Sequence, residues 1–181
     1  RSAVGMVPLF AVEALEDERL DRLPGFRKRM QWFLDNRQDL ARHISVLTPR
    51  RHDERGAMRL LAIPTRERLE RVLAYLFDER EFLSPYGLRS LSRAYADEPY
   101  TLAVGGVRHT VRYAPGDSDT PMFGGNSNWR GPVWFPTNLL LIEALERYHY
   151  FFGDDLKVEF PTGSGQRYDL ATIARMLSGR L

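Results

Sequence analysis

The stretch Phe123–Asn138, which reads FGGNSNWRGPVWFPTN, is the part of the chain best suited to binding a ligand. It combines two tryptophans, one arginine and three asparagines with glycines and prolines. A pyranose has apolar C–H faces and a rim of hydroxyls. An indole ring can cover such a face, while amide and guanidinium groups can bond to the rim. The composition is therefore typical of a carbohydrate-binding loop.

The loop supplies most of the candidate substrate-binding residues, which are Asn126, Asn128, Trp129, Arg130, Gly131, Trp134 and Asn138. Its glycines would allow positive φ angles or a close approach of the backbone to a ligand. Pro136 suits the first turn of a following helix. A purely structural interpretation stays open, in which the indoles pack at the helix start and Arg130 bonds to backbone carbonyls. On composition alone, that structural interpretation is the favoured one.

Hydrophobic periodicity predicts mainly helical elements around this loop. A buried helix is expected over 7–15, and a second helix from Asp17 or Pro24 to Asn36 with an apolar stripe. Thr65 can cap a third helix, and 84–92 is typical of a turn followed by a short helical segment. A helix over about 136–152 and a last helix from Asp169 complete the set. Residues 44–63 carry weak signals, typical of a short extended segment or an irregular loop.

One β-hairpin is predicted at the Gly105–Gly106 pair, which is flanked by alternating β-branched residues. The fold class expected from the residues is therefore mainly α with one small β-hairpin. The length of 181 residues is sufficient for one domain with a core of its own.

The charge pattern argues against several classes of partner. The chain has 26 Lys and Arg against 24 Asp and Glu, a net charge of +2, and the two signs are interspersed, so no nucleic acid is expected.

There is no apolar run of the roughly 20 residues that a membrane span requires, and no signal-peptide pattern. Without cysteine, neither disulfides nor thiolate metal sites can form. We expect a cytoplasmic protein that does not bind membranes and requires neither a metal nor another cofactor.

Carboxylates and histidines elsewhere have ordinary structural explanations. Glu143 lies among apolar residues in the helix over 136–152, with Arg147 as its expected partner one turn on. The Asp117 and Asp119 pair resembles a carboxylate site but is more typical of Asx turns, and "GDD" at 153–155 is more typical of a helix-terminal turn than of a cation site. The four histidines have no metal-ligand spacing, and they are His43, His52, His109 and His149.

The segments "GGNSNWRGPVWFPTNLLLIEAL" and "YHYFFGDDLKVEFPTGSG" resemble glycoside hydrolase family 63 and its bacterial relatives, which include the processing α-glucosidase of N-glycans and mannosylglycerate hydrolases. The specific part is Trp129-Arg130-Gly131-Pro132, followed by Val133, Trp134 and, one turn later, Asn138. The stretch "FLSPYGLRSLS" over 82–92 also resembles a loop that reaches the sugar in this group, which adds Tyr86 to the candidate binding residues. "FAVEAL" and "PGFRKRMQWFL" fit as well, so the resemblance covers most of the chain.

The resemblance implies a fold and an activity. It implies that 1–181 is a single fragment of a glycosidase catalytic domain, the C-terminal portion of an (α/α)6 toroid truncated at both ends. Such enzymes are inverting hydrolases of α-linked glucosides or mannosides, with one acid and one base held ~6.5–9.5 Å apart. The family's acid is placed upstream of these residues and its base downstream of the last helix, so no catalytic residue is assigned in this chain.

Two functions are therefore compared for this chain. The first is the sugar-binding wall of a glycosidase active site, with an oligosaccharide or small glycoside as partner and no turnover by the chain alone. The alternative is a non-catalytic carbohydrate-binding or protein-interaction module. Because half a toroid would leave the apolar helix over 136–152 partly uncovered, we also expect a homodimer through that face.

Overall fold

The computed structural model describes residues 1–41, 45–52, 56–117 and 119–181 of the chain, with the side chains of 45–52 and 56 left out. Within this part, helical segments contain more residues than strands, as expected for a mainly α protein. The helices are α1 (Val7–Phe10), α2 (Asp17–Asp21), α3 (Pro24–Asn36), α4 (Gln38–Ala41), α5 (Arg66–Leu76), α6 (Phe135–Phe152) and α7 (Leu170–Ser178). The strands are β1 (Val12–Glu16), β2 (Ser45–His52), β3 (Gly56–Ala62), β4 (Leu83–Ser84), β5 (Gly87–Leu88), β6 (Tyr100–Val104), β7 (Val107–Val111), β8 (Lys157–Glu159) and β9 (Arg167–Asp169).

The core is a continuous apolar cluster to which helices α5, α6 and α7 each contribute one face. Burying one such side chain is worth about 1.5–3 kcal/mol, so these faces hold the helices together. Thr65 caps α5 by accepting a bond from the Arg68 amide, and Asp169 caps α7 by accepting one from the Thr172 amide. The fully buried positions include Leu69, Leu73, Phe77, Leu141, Leu145, Tyr148, Ile173 and Leu177.

The predicted helix over 7–15 is wrong in its second half. Helix α1 ends at Phe10, and Ala11 has φ −81° and ψ 70°, which is not helical. Residues Val12–Glu16 instead form β1, which pairs antiparallel with β3 in a three-stranded sheet of order β1-β3-β2. Strand pairing with a distant segment therefore outweighs the local apolar pattern, which cannot distinguish a short buried helix from a short buried strand.

The expectation of one small β-hairpin also underestimates the number of β-sheets in the structure. The predicted hairpin is present as β6 and β7, with Gly105 and Gly106 at φ 58° and 79° in its turn. The structure also contains the three-stranded sheet, and β4–β5 and β8–β9 form two further two-stranded pairs. In the 84–92 stretch the turn is present between β4 and β5, but the helical turn begins only at Arg93.

Helix α3 forms where predicted but does not bury its apolar stripe. No residue of α3 is buried, and Phe26 is 49% exposed. A cavity of about 630 Å³ lies between Met30 and Phe33 of this helix and Leu61 of β3. Among the described residues, therefore, nothing closes over that side of the helix.

Candidate functional site

The loop that precedes α6 is held at its centre by three hydrogen bonds to two other segments of the chain. The Gly131 amide donates to the Ser90 hydroxyl (2.9 Å), and the Ser90 amide donates to the Pro132 carbonyl (3.1 Å). The Ala114 amide donates to the Arg130 carbonyl at 2.7 Å. Bonds within the protein therefore hold the centre of the loop in place.

Gly131 is required by this conformation. Its φ is +143°, and a Cβ built at this position would lie 2.5 Å from two ring carbons of Tyr113. The ring contact and the positive φ both exclude a larger residue. Of the two uses that the sequence allowed for this glycine, the structure shows the positive φ, which serves close packing of the loop against Tyr113.

Arg130, a candidate substrate-binding residue of the sequence analysis, is instead anchored inside the loop. Its side chain is 4% exposed. One terminal nitrogen donates to Asp119 (3.1 Å), and the other donates to the carbonyls of Thr120 (2.7 Å) and Met122 (2.5 Å). This is the structural role that the alternative interpretation assigned to it, and the reason is that a buried guanidinium needs acceptors for its donors.

Asn138 is likewise committed to the scaffold. Its Oδ1 accepts from the Leu88 amide (2.7 Å), and its Nδ2 donates to the carbonyls of Leu88 and Trp134 (both 3.0 Å). The side chain is one turn into α6 and is 2% exposed. Its amide bonds to both the N–H and the carbonyl of Leu88, as the backbone of a neighbouring strand would, and this pair of bonds connects the β4–β5 turn to α6. A direct contact of this amide with a sugar is not compatible with these bonds.

Trp129 remains accessible, and it lines an open cavity of about 610 Å³. We call this the aromatic cavity, because Tyr95, Tyr100, Phe123 and Trp129 all contribute to it, together with the first residues of the chain. Phe123 has a positive φ of 56°, as have the two glycines after it, and this unusual turn presents the ring at the cavity. Aromatic faces of this kind are what the apolar side of a pyranose requires.

Trp129 does not share its cavity with the other two aromatic candidates, Trp134 and Tyr86. The two indoles contact each other edge to face, with ring centroids 4.7 Å apart, but Trp134 does not line the aromatic cavity. Tyr86 is 73% exposed at the β4–β5 turn and borders a separate cavity of about 400 Å³ with Gly131, Pro132 and Val133. The turn at Gly131 places the residues before and after it at different cavities.

The two remaining asparagines shape the loop. Asn126 is exposed, and its side chain accepts a bond from the Asn128 amide at 2.9 Å, which caps the short 3-10 turn Ser127–Trp129. Asn128, which directly precedes Trp129, is half-buried. A sugar-binding role for Asn126, Asn128, Trp129, Trp134 and Tyr86 stays a prediction.

The carboxylates considered from the sequence are dispersed. Glu143 is exposed, and Arg147 pairs with Glu13 of β1, so the predicted Glu143–Arg147 pair is wrong. Asp119 bridges Arg112 and Arg130. Asp154 and Asp155 lie in a 3-10 turn after α6, as expected. The described residues contain no group of His, Asp and Glu side chains that could hold a metal ion.

His149 is half-buried, with its Nδ1 3.5 Å from Asp169 Oδ1, so it lies between α6 and the start of α7. His43 lies outside the described residues, as does the side chain of His52.

Two carboxylates that the sequence analysis passed over have specific environments. Glu159, at the end of β8, accepts bonds from the backbone amides of Gly163 and Gly165, which lower its pKa below the usual range. It is therefore ionised at neutral pH. Glu81 is buried and accepts a bond from the Ser92 hydroxyl. The glycines after Glu159 indicate in the sequence a turn whose amides can bond to a carboxylate. Glu81 lies in a charged run that is typical of a solvated surface, so the sequence does not indicate its burial.

Comparison with known proteins agrees with the resemblance noted from the loop. The family model described as mannosylglycerate hydrolase MGH1-like glycoside hydrolase domain matches residues 11–177. The chain belongs to this family. It is also 47% identical over 182 residues to the Saccharomyces cerevisiae protein named Uncharacterized protein YMR196W, with all of this chain aligned to 16% of that protein. The chain thus spans about one sixth of this relative's length.

No solved structure matches the chain significantly. No helix among the described residues combines the length and the apolar character that crossing a bilayer requires.

Proposed function

We propose that this chain forms part of the sugar-binding wall of an inverting glycoside hydrolase acting on an α-linked glucoside or mannoside. Membership of a glycoside hydrolase family supports this proposal. The observation that carries it is the position of Trp129, which belongs to the Trp-Arg-Gly-Pro motif and lines the aromatic cavity. Arg130, Gly131 and Asn138 serve the site by holding the loop, and they do not contact the substrate.

The aromatic cavity offers the two kinds of contact that a sugar needs. The rings of Trp129 and Phe123 can cover apolar C–H faces, and the hydroxyls of Tyr95 and Tyr100 can bond to the ligand's hydroxyls. A volume of about 610 Å³ is within the range of ordinary ligand sites. Tyr86, which borders the separate cavity of about 400 Å³, would contact a further sugar unit of an oligosaccharide.

We further propose that α5, α6 and α7 belong to an (α/α)6 toroid and that the acid and base come from other parts of the longer protein. The chain alone is then inactive, since acid–base assistance is worth typically 10²–10⁴-fold for each group. Turnover of an aryl α-glucoside or α-mannoside by the 181-residue chain would contradict this arrangement.

The decisive experiment compares two tryptophan variants of the longer, active protein. Trp129→Ala should lower kcat/KM for the preferred α-glycoside by roughly 10- to 100-fold, because one aromatic face of the sugar is lost. Trp32→Ala is the matched control, since this indole is 59% exposed on α3. NMR of the first product should show inversion at the anomeric carbon. Equal activity of the two variants would refute the sugar-binding role, and binding without turnover would favour the non-catalytic module.

We also propose that the isolated chain dimerises through the exposed start of α6. Phe135, Leu139 and Leu140 are 57%, 45% and 45% exposed there, and contiguous apolar surface of this kind marks interfaces. Light scattering at micromolar concentration should give a dimer mass that Leu139→Glu reduces to a monomer mass. Leu23→Glu, at a residue 57% exposed before α3, should leave the dimer intact. A monomeric unmodified chain would contradict the proposal.

A further inference from the structure

The β6–β7 hairpin has one apolar face and one polar face. Residues opposite each other on paired strands share a face, and successive residues of a strand alternate between the two faces. On one face Thr101 lies opposite Thr110, and their hydroxyls bond to each other at 3.2 Å. Arg108, opposite Ala103, adds a charge to this face. The other face carries Tyr100, Leu102, Val104, Val107, His109 and Val111, of which only His109 is polar.

The apolar face is open along most of its length. Leu102, Val104 and Val107 are 48%, 56% and 58% exposed, so the described residues leave about half of each side chain uncovered. We call these three residues the hairpin strip. Contiguous apolar surface is uncommon on soluble proteins unless another group binds to it, whereas single exposed apolar residues need no explanation. The separation of an apolar face from a polar one on this hairpin therefore indicates a binding surface.

The hairpin strip is continuous with the aromatic cavity. Tyr100 and Val111, which pair with each other at the base of the hairpin, both line that cavity and lie on the same face as the strip. The base is anchored there, because the Tyr113 amide donates to the Tyr95 carbonyl at 3.1 Å. From Tyr100 to Val104 the strand extends over about 14 Å at the usual rise per residue. An apolar surface therefore leads from the cavity outward along the hairpin.

We propose that the protein binds glycosides whose aglycone is an apolar chain, with the sugar in the aromatic cavity and the chain on the hairpin strip. This inference rests on the proposed function, because the strip begins where the sugar-binding cavity ends. A hydrocarbon chain suits the strip better than a further sugar unit does. Aliphatic side chains offer no hydrogen-bond partners to sugar hydroxyls, but they gain from every methylene that they remove from water.

The test is isothermal titration calorimetry of the chain with methyl, butyl, hexyl and octyl α-glucosides and with the corresponding α-mannosides. All ligands are kept below the concentrations at which the longer members form micelles. Complete burial of one methylene raises affinity roughly fourfold. A chain on an open face buries about half of each methylene, so affinity should rise roughly twofold per methylene, or about 16-fold from butyl to octyl.

The strip variant replaces all three residues of the strip, as Leu102→Thr, Val104→Thr and Val107→Thr. It should reduce the rise from butyl to octyl to about fourfold or less and leave the affinity for methyl glycosides unchanged. The hairpin should persist, because threonine is β-branched and favours strands. Val7→Thr is the matched control, since Val7 is 53% exposed on α1 and does not line the aromatic cavity. This control should keep the full rise.

The outcomes separate this inference from the proposed function. Trp129→Ala should weaken every glycoside by the same factor and leave the rise with chain length unchanged. Unchanged affinity of Trp129→Ala for methyl glycosides would refute the sugar-binding wall, and binding of no glycoside in the series would refute both proposals. A rise that is absent, or equal in the strip variant and Val7→Thr, overturns the apolar aglycone alone. Loss of a dimer mass by the strip variant in light scattering would assign the strip to a second copy of the chain and also overturn it.

Discussion

Replacing Asn138 by alanine should destabilise the protein strongly, although a ligand-binding asparagine would be dispensable for folding. The substitution removes the side-chain partner of the amide and of the carbonyl of Leu88, and Leu88 is 1% exposed. Each buried group left unsatisfied costs about 1–3 kcal/mol, so the expected loss is about 2–6 kcal/mol. The Trp134 carbonyl adds little, because it still accepts a bond from the Thr137 hydroxyl at 2.9 Å. The loss is a large part of the roughly 5–15 kcal/mol typical of a folded domain.

Asn36→Ala is a closely matched control for this prediction. Asn36 donates to the carbonyl four residues earlier, that of Trp32, at 2.8 Å, as Asn138 does to Trp134, but its bond is exposed to solvent. Removing this exposed bond should change the free energy of unfolding by at most about 0.5 kcal/mol. Urea unfolding followed by tryptophan fluorescence measures both variants, and Trp134 reports directly on the site.

Asn138→Asp sharpens the test through pH. At pH 7 the carboxylate faces the Leu88 carbonyl oxygen and cannot donate to it, so this variant should be at least as unstable as Asn138→Ala. It should regain stability as the pH falls, because the protonated carboxyl can donate again. A difference under about 1 kcal/mol between Asn138→Ala and Asn36→Ala would refute the structural role. Loss of sugar binding at unchanged stability would restore Asn138 to the ligand site.

Two further predictions concern the loop and the glycine-rich turn. Gly131→Ala should cost at least about 2 kcal/mol of stability through backbone strain and the clash with Tyr113. Gly116→Ala is the control, and it should change thermal stability little because there is open space around this residue. Equal midpoints of thermal unfolding for the two variants would contradict the packing role of Gly131. Because folding lowers the pKa of Glu159, its stabilising effect is complete above the unfolded pKa of roughly 4.3 and is lost as the pH falls through the folded pKa. The unmodified chain should therefore be more stable than Glu159→Gln at pH 7 and lose this advantage in acid, and a difference in unfolding free energy that does not vary with pH would refute this assignment.

Local sequence patterns were sufficient to predict the helices and the hairpin that carry their own capping or turn residues. Helix α5 begins at its Thr65 cap, α7 begins after its Asp169 cap, and β6–β7 turns at two adjacent glycines. In each case the cap or turn chemistry and the apolar period occur in the same short segment. The residues of the Trp-Arg-Gly-Pro motif likewise carried enough information to indicate the family that the comparison then showed.

Contacts between distant segments determined the remainder. Val12–Glu16 is a strand because β3, more than forty residues further on, pairs with it, and a short apolar run has no intrinsic preference strong enough to resist that pairing. Arg130 and Asn138 have side chains equally suited to a sugar or to a backbone. Only the positions of Asp119 and Leu88 commit them to the scaffold and leave Trp129 at the open cavity. Hydrogen-bonding capacity is a property of the residue type, but the partner that uses it is set by the folded chain.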